Sequence, residues 1–130
     1  MNIWSKILLV AAGGAVGSVC RLLLSIAIRP HGEWLGIATW VINTIGCLLI
    51  GIFAGWLVSS TASTEWKTAF AMLTMTGFCG GFSTFSEFTL DCVKYFEAGH
   101  IGIWIIFATA TIFCGLFCCA FGYWLGAKLG

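Results

Sequence analysis

The chain has 130 residues, 60% hydrophobic, 15% aromatic and only 8% charged, with a net charge of +1. Soluble domains carry about 25% charged residues, so a water-soluble globule is excluded, and the aromatic content excludes disorder. A membrane span needs roughly 20 apolar residues, so four spans with short connections use the chain and leave no room for a Rossmann unit, an ATPase or a protease.

The mean hydropathy of +1.03 agrees with that reading. The first span is predicted over residues 7–28, after Lys6. Its apolar run is too long for a cleaved signal peptide, it contains Arg21, and no small-residue cleavage site follows. Arg29, Pro30, His31, Gly32 and Glu33 form a polar turn, with the only proline where a helix should stop. The second span is predicted over 34–58 and carries no charge. A small polar loop, residues 59–64, leads to Glu65 and Lys67. The third span is predicted over 67–96, and Glu97 to His100 form the next turn. The fourth is predicted over 101–127, uncharged up to Lys128. The expected fold is therefore one all-α integral membrane domain, residues 1–130.

Four spans put Lys6, Lys67 and Lys128 on one side of the membrane and Arg21, Arg29 and Lys94 on or near the other. Orientation follows the excess of Lys and Arg on the cytoplasmic side, and here there is none. The balance predicts insertion in both orientations, and two opposed copies then pair about a two-fold axis in the membrane plane. The +1 charge offers no basic surface for nucleic acid, and no nucleotide motif is present.

Glycine is frequent, at 17 residues. Gly13/Gly17, Gly51/Gly55, Gly77/Gly81 and Gly122/Gly126 are small-xxx-small pairs, the spacing that lets membrane helices approach closely. The seven cysteines are odd in number, fall in apolar stretches and include no Cys-x-x-Cys pair. They read as small, polarisable packing residues.

Polar groups inside spans are costly, so they mark packing contacts or pathways. Arg21 lies late in the first span. Asn43 lies inside the second, and Thr39, Gly46 and Cys47 share its helical face. Ser83, Thr84 and Ser86 sit in the third, with Glu87 and Asp91 after them, and these two acids fit the wet end of a helix. The segment from Gly77 to Phe88 combines three glycines with three hydroxyls where the chain must span the bilayer. Gly disfavours helix, and hydroxyls can satisfy backbone groups. A helix interrupted at Gly80 and Gly81 is expected, with free carbonyls able to hold a small cation. Phe85 and Phe88 share one face after the break. They suit core packing, or their electropositive ring edges suit an anion.

These motifs resemble the Fluc/CrcB family of fluoride channels over essentially the whole chain. Gly13-Gly14-Ala15-Val16-Gly17-Ser18-Val19-Cys20-Arg21 is similar to the family's GGxxGxxxR. Thr39-Trp40-Val41-Ile42-Asn43-Thr44-Ile45-Gly46 is similar to TLxxNxxG, and Thr76 to Phe88 to TGfcGGxTTFSTF. The resemblance implies an antiparallel, dual-topology homodimer in the inner membrane, with two fluoride pores. It implies a central Na⁺ held by the Gly80 and Ser83 carbonyls of both copies. Asn43, Phe85 and Phe88 match pore positions, with the Thr84 and Ser86 hydroxyls beside them, and Arg21 matches a vestibule arginine. Asp91 falls where many relatives carry Glu. Ser83 and Glu87 depart from the usual threonines, and Gly115 and Cys119 replace pore-lining Ser and Thr.

A selective pore must replace the water that fluoride holds tightly, using compact donors such as the Asn43 amide. Without a nucleotide motif, transport is expected to be passive rather than enzymatic. A small proton-coupled multidrug exporter would also have four spans and dual topology. It needs a deep carboxylate, usually in the first span, where this chain has only Arg21 after Lys6. A non-transporting membrane scaffold would explain the glycines, but does not require the broken third span.

Overall fold

The computed structural model describes residues 1–28 and 36–130. The expected turn from Arg29 to Glu33, the stop at Pro30 and the start of the second span at Trp34 lie outside the described residues. Helix α1 covers Ile3–Ile28, four residues longer than the apolar run implied. Helix α2 covers Ile37–Ser59. Ser63 caps α3, Thr64–Ala71, accepting from the Trp66 amide. The helix continues through a π-helical stretch, Met72–Cys79, into one last turn, α4, Gly80–Phe82. Ser83 and Thr84 are extended, and α5 then runs over Phe85–Glu97. Gly99, at φ 74°, supports the turn into α6, Ile101–Leu129; only glycine adopts that backbone without strain.

Helices α1, α2 and α6 are each long and apolar enough to cross a membrane. The segment between α2 and α6, where the third span is expected, is discontinuous and runs from α3 to α5. Its break lies at Ser83 and Thr84, not at Gly80 and Gly81 as the sequence suggested. The glycines stay helical because they serve packing: a Cβ on Gly81 would lie 2.5 Å from the Gly14 carbonyl oxygen.

The four glycine pairs make two seams. Gly13 and Gly17 meet the backbone of Leu73, Phe78 and Phe82, so α1 runs parallel to the first half of the broken pass. Gly51 and Gly55 meet Cys119 and Tyr123, while Gly122 and Gly126 meet Leu48 and Ile52. That interlock makes α2 and α6 parallel. Lipid tails are as apolar as the side chains, so close backbone approach and dispersion supply the packing drive that water exclusion supplies in soluble proteins. Across the seams, Thr39 bonds Asp91 and Asn43 bonds Thr84, a crossed order that makes α2 antiparallel to α5. The bundle therefore alternates direction from pass to pass.

Large apolar side chains face outward on α1 and α6, among them Leu8, Val19, Leu23, Ile106, Phe113 and Phe117. Such a surface suits contact with lipid tails or with another apolar protein surface rather than with water. Trp56, Trp66 and Phe70 pack ring against ring at 5.1–5.4 Å where α2 ends and α3 begins, the level at which aromatic rings anchor a span. At the opposite end, Phe88, Tyr95 and Phe107 form a buried cluster backed by Trp40, Cys92 and Trp104.

Candidate functional site

The break at Ser83 and Thr84 is the centre of the polar structure. Ser83 ends the preceding helix twice over: its amide donates to the Cys79 carbonyl at 3.0 Å, and its hydroxyl donates to the same oxygen at 2.8 Å. Helix α5 then starts at Thr84, whose hydroxyl accepts from the Glu87 amide at 3.3 Å. Thr84 to Glu87 has the T-x-x-E pattern of a capping box, in which the acid reaches back to the capping residue's amide. Here Asn43 takes that place. Its Oδ1 accepts from the Thr84 amide at 2.7 Å, and its Nδ2 donates to the Thr84 carbonyl at 3.0 Å. One side chain on α2 thus satisfies both backbone groups of the residue where the helix is interrupted. Gly46 permits this approach, since a Cβ there would lie 2.8 Å from that of Ser83.

The Asn43 amide is consequently an interhelical clamp. Nδ2 carries two hydrogens; the Thr84 carbonyl takes one and leaves one. The Gly81 carbonyl accepts a 3.4 Å bond from the Ser18 hydroxyl. Among the described residues, the Gly80 and Ser83 carbonyls accept no hydrogen bond from another element, because the Thr84 and Glu87 amides that would reach them in an unbroken helix are engaged elsewhere. Gly80 lies on the exposed surface of the chain.

Phe85 and Phe88 come together as their spacing indicates, with ring centroids 5.6 Å apart and planes at 45°. Their environments differ. Phe85 is 77% exposed, whereas Phe88 is 7% exposed and packs on Phe107 at 5.6 Å. Ser86 is exposed and its hydroxyl lies 3.0 Å from that of Thr84. Arg21 is half-buried on α1 and forms no ion pair among the described residues.

Asp91 corrects the expectation of a solvated helix end. It is 4% exposed. The Thr39 hydroxyl, itself buried, donates to Oδ2 at 2.7 Å, and Lys94 Nζ lies 3.6 Å from Oδ1. Neither partnership was read from the sequence. The signal was spacing: Phe88, Asp91 and Tyr95 form the buried stripe of α5, and Thr39 sits one turn from Asn43 on α2.

Residues 8–123 match the family model described as CrcB-like protein, Camphor Resistance (CrcB). The chain is similar to the "Fluoride-specific ion channel FluC" of Rhizobium etli, 41% identical over 84% of this chain and 91% of that one. It is also similar to proteins of the same name from Chlorobium phaeobacteroides, 35% identical over 97% of this chain and 95% of that one, and Azobacteroides pseudotrichonymphae, 35% identical over 91% and 93% respectively. With a discontinuous pass pinned by Asn43, a paired Phe85 and Phe88 beyond it, and likeness over nearly its full length, the chain belongs to the CrcB-like protein family.

Proposed function

We propose that the chain is a fluoride-selective, passive anion channel that works as an antiparallel homodimer in the inner membrane. The observation that carries this reading is the break at Ser83–Thr84, clamped by Asn43 and followed directly by the paired rings of Phe85 and Phe88. The relatives' names supply the ion; this geometry supplies the means of dehydrating it. Fluoride gives up its water only for compact donors. The second hydrogen on Asn43 Nδ2 is such a donor, and the Thr84 and Ser86 hydroxyls stand beside it. Ring edges of Phe85 and Phe88 extend the route with weak positive potential. Such edges attract an anion without holding it as a full charge would. Arg21 raises the anion concentration at the mouth.

The same break bears on the central Na⁺. Carbonyls without partners in a low-dielectric region cost about 1–3 kcal/mol each, and the Gly80 and Ser83 oxygens fit the role of ligands. Among the described residues, no three His, Cys, Asp or Glu side chains converge as a metal site, so a cation here would rest on neutral backbone oxygens. Two opposed copies would bring four such oxygens to one point. The bound ion would supply a fixed positive charge between two anion routes. A cell that gains fluoride in its protonated form from acid surroundings would lose the anion down its gradient through this channel.

The test is purified protein in liposomes with a fluoride electrode. Passive efflux of fluoride but not chloride is expected, lost when Na⁺ is replaced throughout purification and assay. Proton-driven uptake of an organic cation would establish the exporter instead, and no transport of either would leave a scaffold.

A further inference from the structure

The carboxylate of Asp91 is out of place beside an anion route. It is 4% exposed, one turn beyond Phe88 on the same stripe of α5. Thr39 and Asn43 bind α5 and the break from one face of α2, with Phe88 between the two rungs in sequence. On the channel reading, an anion that followed Phe85 and Phe88 away from the break would come next to Asp91. A buried negative charge there is poorly screened and would oppose the ion the rings admit.

We propose that Lys94 is the counter-charge of Asp91, cancelling this carboxylate so that the anion can pass, and that the pair sets throughput at that mouth of the pore. This rests on the channel reading above. The two partners of Asp91 divide the work. The Thr39 hydroxyl, at 2.7 Å from Oδ2, fixes the position of the carboxylate. Lys94, at 3.6 Å from Oδ1, is beyond the 2.7–2.9 Å typical of a strong charge-assisted hydrogen bond. It contributes charge more than geometry. Its side chain is 44% exposed, that of Asp91 6%, so the cation stays at the wet edge while its field reaches the buried acid.

Among the described residues, the other charges near this seam do not substitute for Lys94. Glu87 precedes Asp91 by one turn and Glu97 follows Lys94 by one, and both are negative. Helix α2 carries no charged residue, and α6 carries only Lys128, in its last turn at the far end. Arg21 lies on α1, outside this pairing. Lys94 is a positioning residue in this scheme: it acts on the anion through Asp91.

The experiment measures fluoride efflux from liposomes for the full-length wild type, Lys94→Met, Lys94→Arg, and the double variant Asp91→Asn with Lys94→Met, each first passed through size exclusion. Lys94→Met is expected to slow initial efflux about tenfold or more, the scale of one uncompensated unit charge near an ion path. Lys94→Arg recovers most of that loss. The double variant also recovers it, because there is no longer a carboxylate to neutralise. A merely structural lysine would not be rescued by a second substitution that removes its partner. Wild-type efflux together with unaffected Lys94→Met, or a double variant as slow as Lys94→Met, would overturn the counter-charge. Absence of efflux from the wild type would instead overturn the channel reading, and this role with it.

Discussion

Replacing Asn43 by alanine tests the clamp at the break directly. Asn43 makes two hydrogen bonds to one residue, 2.7 Å from the Thr84 amide and 3.0 Å to its carbonyl. Alanine removes both and leaves a half-buried donor and acceptor with nothing in reach. Each orphaned group costs about 1–3 kcal/mol, so the extended conformation at Ser83–Thr84 is expected to lose about 2–6 kcal/mol. At 1.4 kcal/mol per factor of ten, that is a roughly 30-fold to 10⁴-fold increase in local opening. Hydrogen–deuterium exchange read by mass spectrometry, on a peptide covering residues 80–88, measures the Thr84 amide. The wild-type amide should be protected and the Asn43→Ala amide should exchange at least about 30-fold faster. Peptides from the α2–α6 seam should be unchanged, because the glycine interlock there does not involve Asn43. Exchange at Thr84 within about twofold of wild type would show that Asn43 does not hold the break.

Asn43→Asp should keep the bond from the Thr84 amide but turn an acceptor toward the Thr84 carbonyl. Fluoride efflux should be abolished while the protein stays folded, and near-normal efflux would refute the need for a donor at that position. Gly81→Ala should destabilise the fold by about 1–3 kcal/mol in detergent unfolding, since its Cβ would lie 2.5 Å from the Gly14 oxygen. Gly102→Ala, with nothing within 4 Å, should be neutral or slightly stabilising in the same measurement. Thr84→Val should cost about 0.5–2 kcal/mol by removing the cap of α5, and Thr84→Ser should restore it; equal unfolding midpoints for the two variants would refute the capping role.

Much of this protein is decided by composition and spacing before any contact forms. Charge scarcity forces the chain into lipid, and backbone accounting in lipid forces helices. The glycine pairs at intervals of four mark where helices touch, and all four pairs do so. Asn43, Phe85 and Phe88 stand out as polar or paired residues on helical faces, and the structure brings each to the break or the buried stripe beside it. The sequence alone misplaced the break by three residues. Glycine can either interrupt a helix or admit a neighbour, and intrinsic propensity cannot separate the two. Only the arrival of Gly14 against Gly81, and of the Asn43 amide at Thr84, decided between them: the first rewards a continuous helix at Gly81 and the second an interrupted one at Thr84. Asp91 depended on tertiary structure in the same way. A carboxylate near a helix end is ordinarily wet, and it is tolerated here in a buried stripe because Thr39, fifty-two residues away in sequence, presents a hydroxyl and Lys94 a charge. The chain determines which groups must be satisfied, and the packing of α2 against the broken pass determines which partner satisfies each.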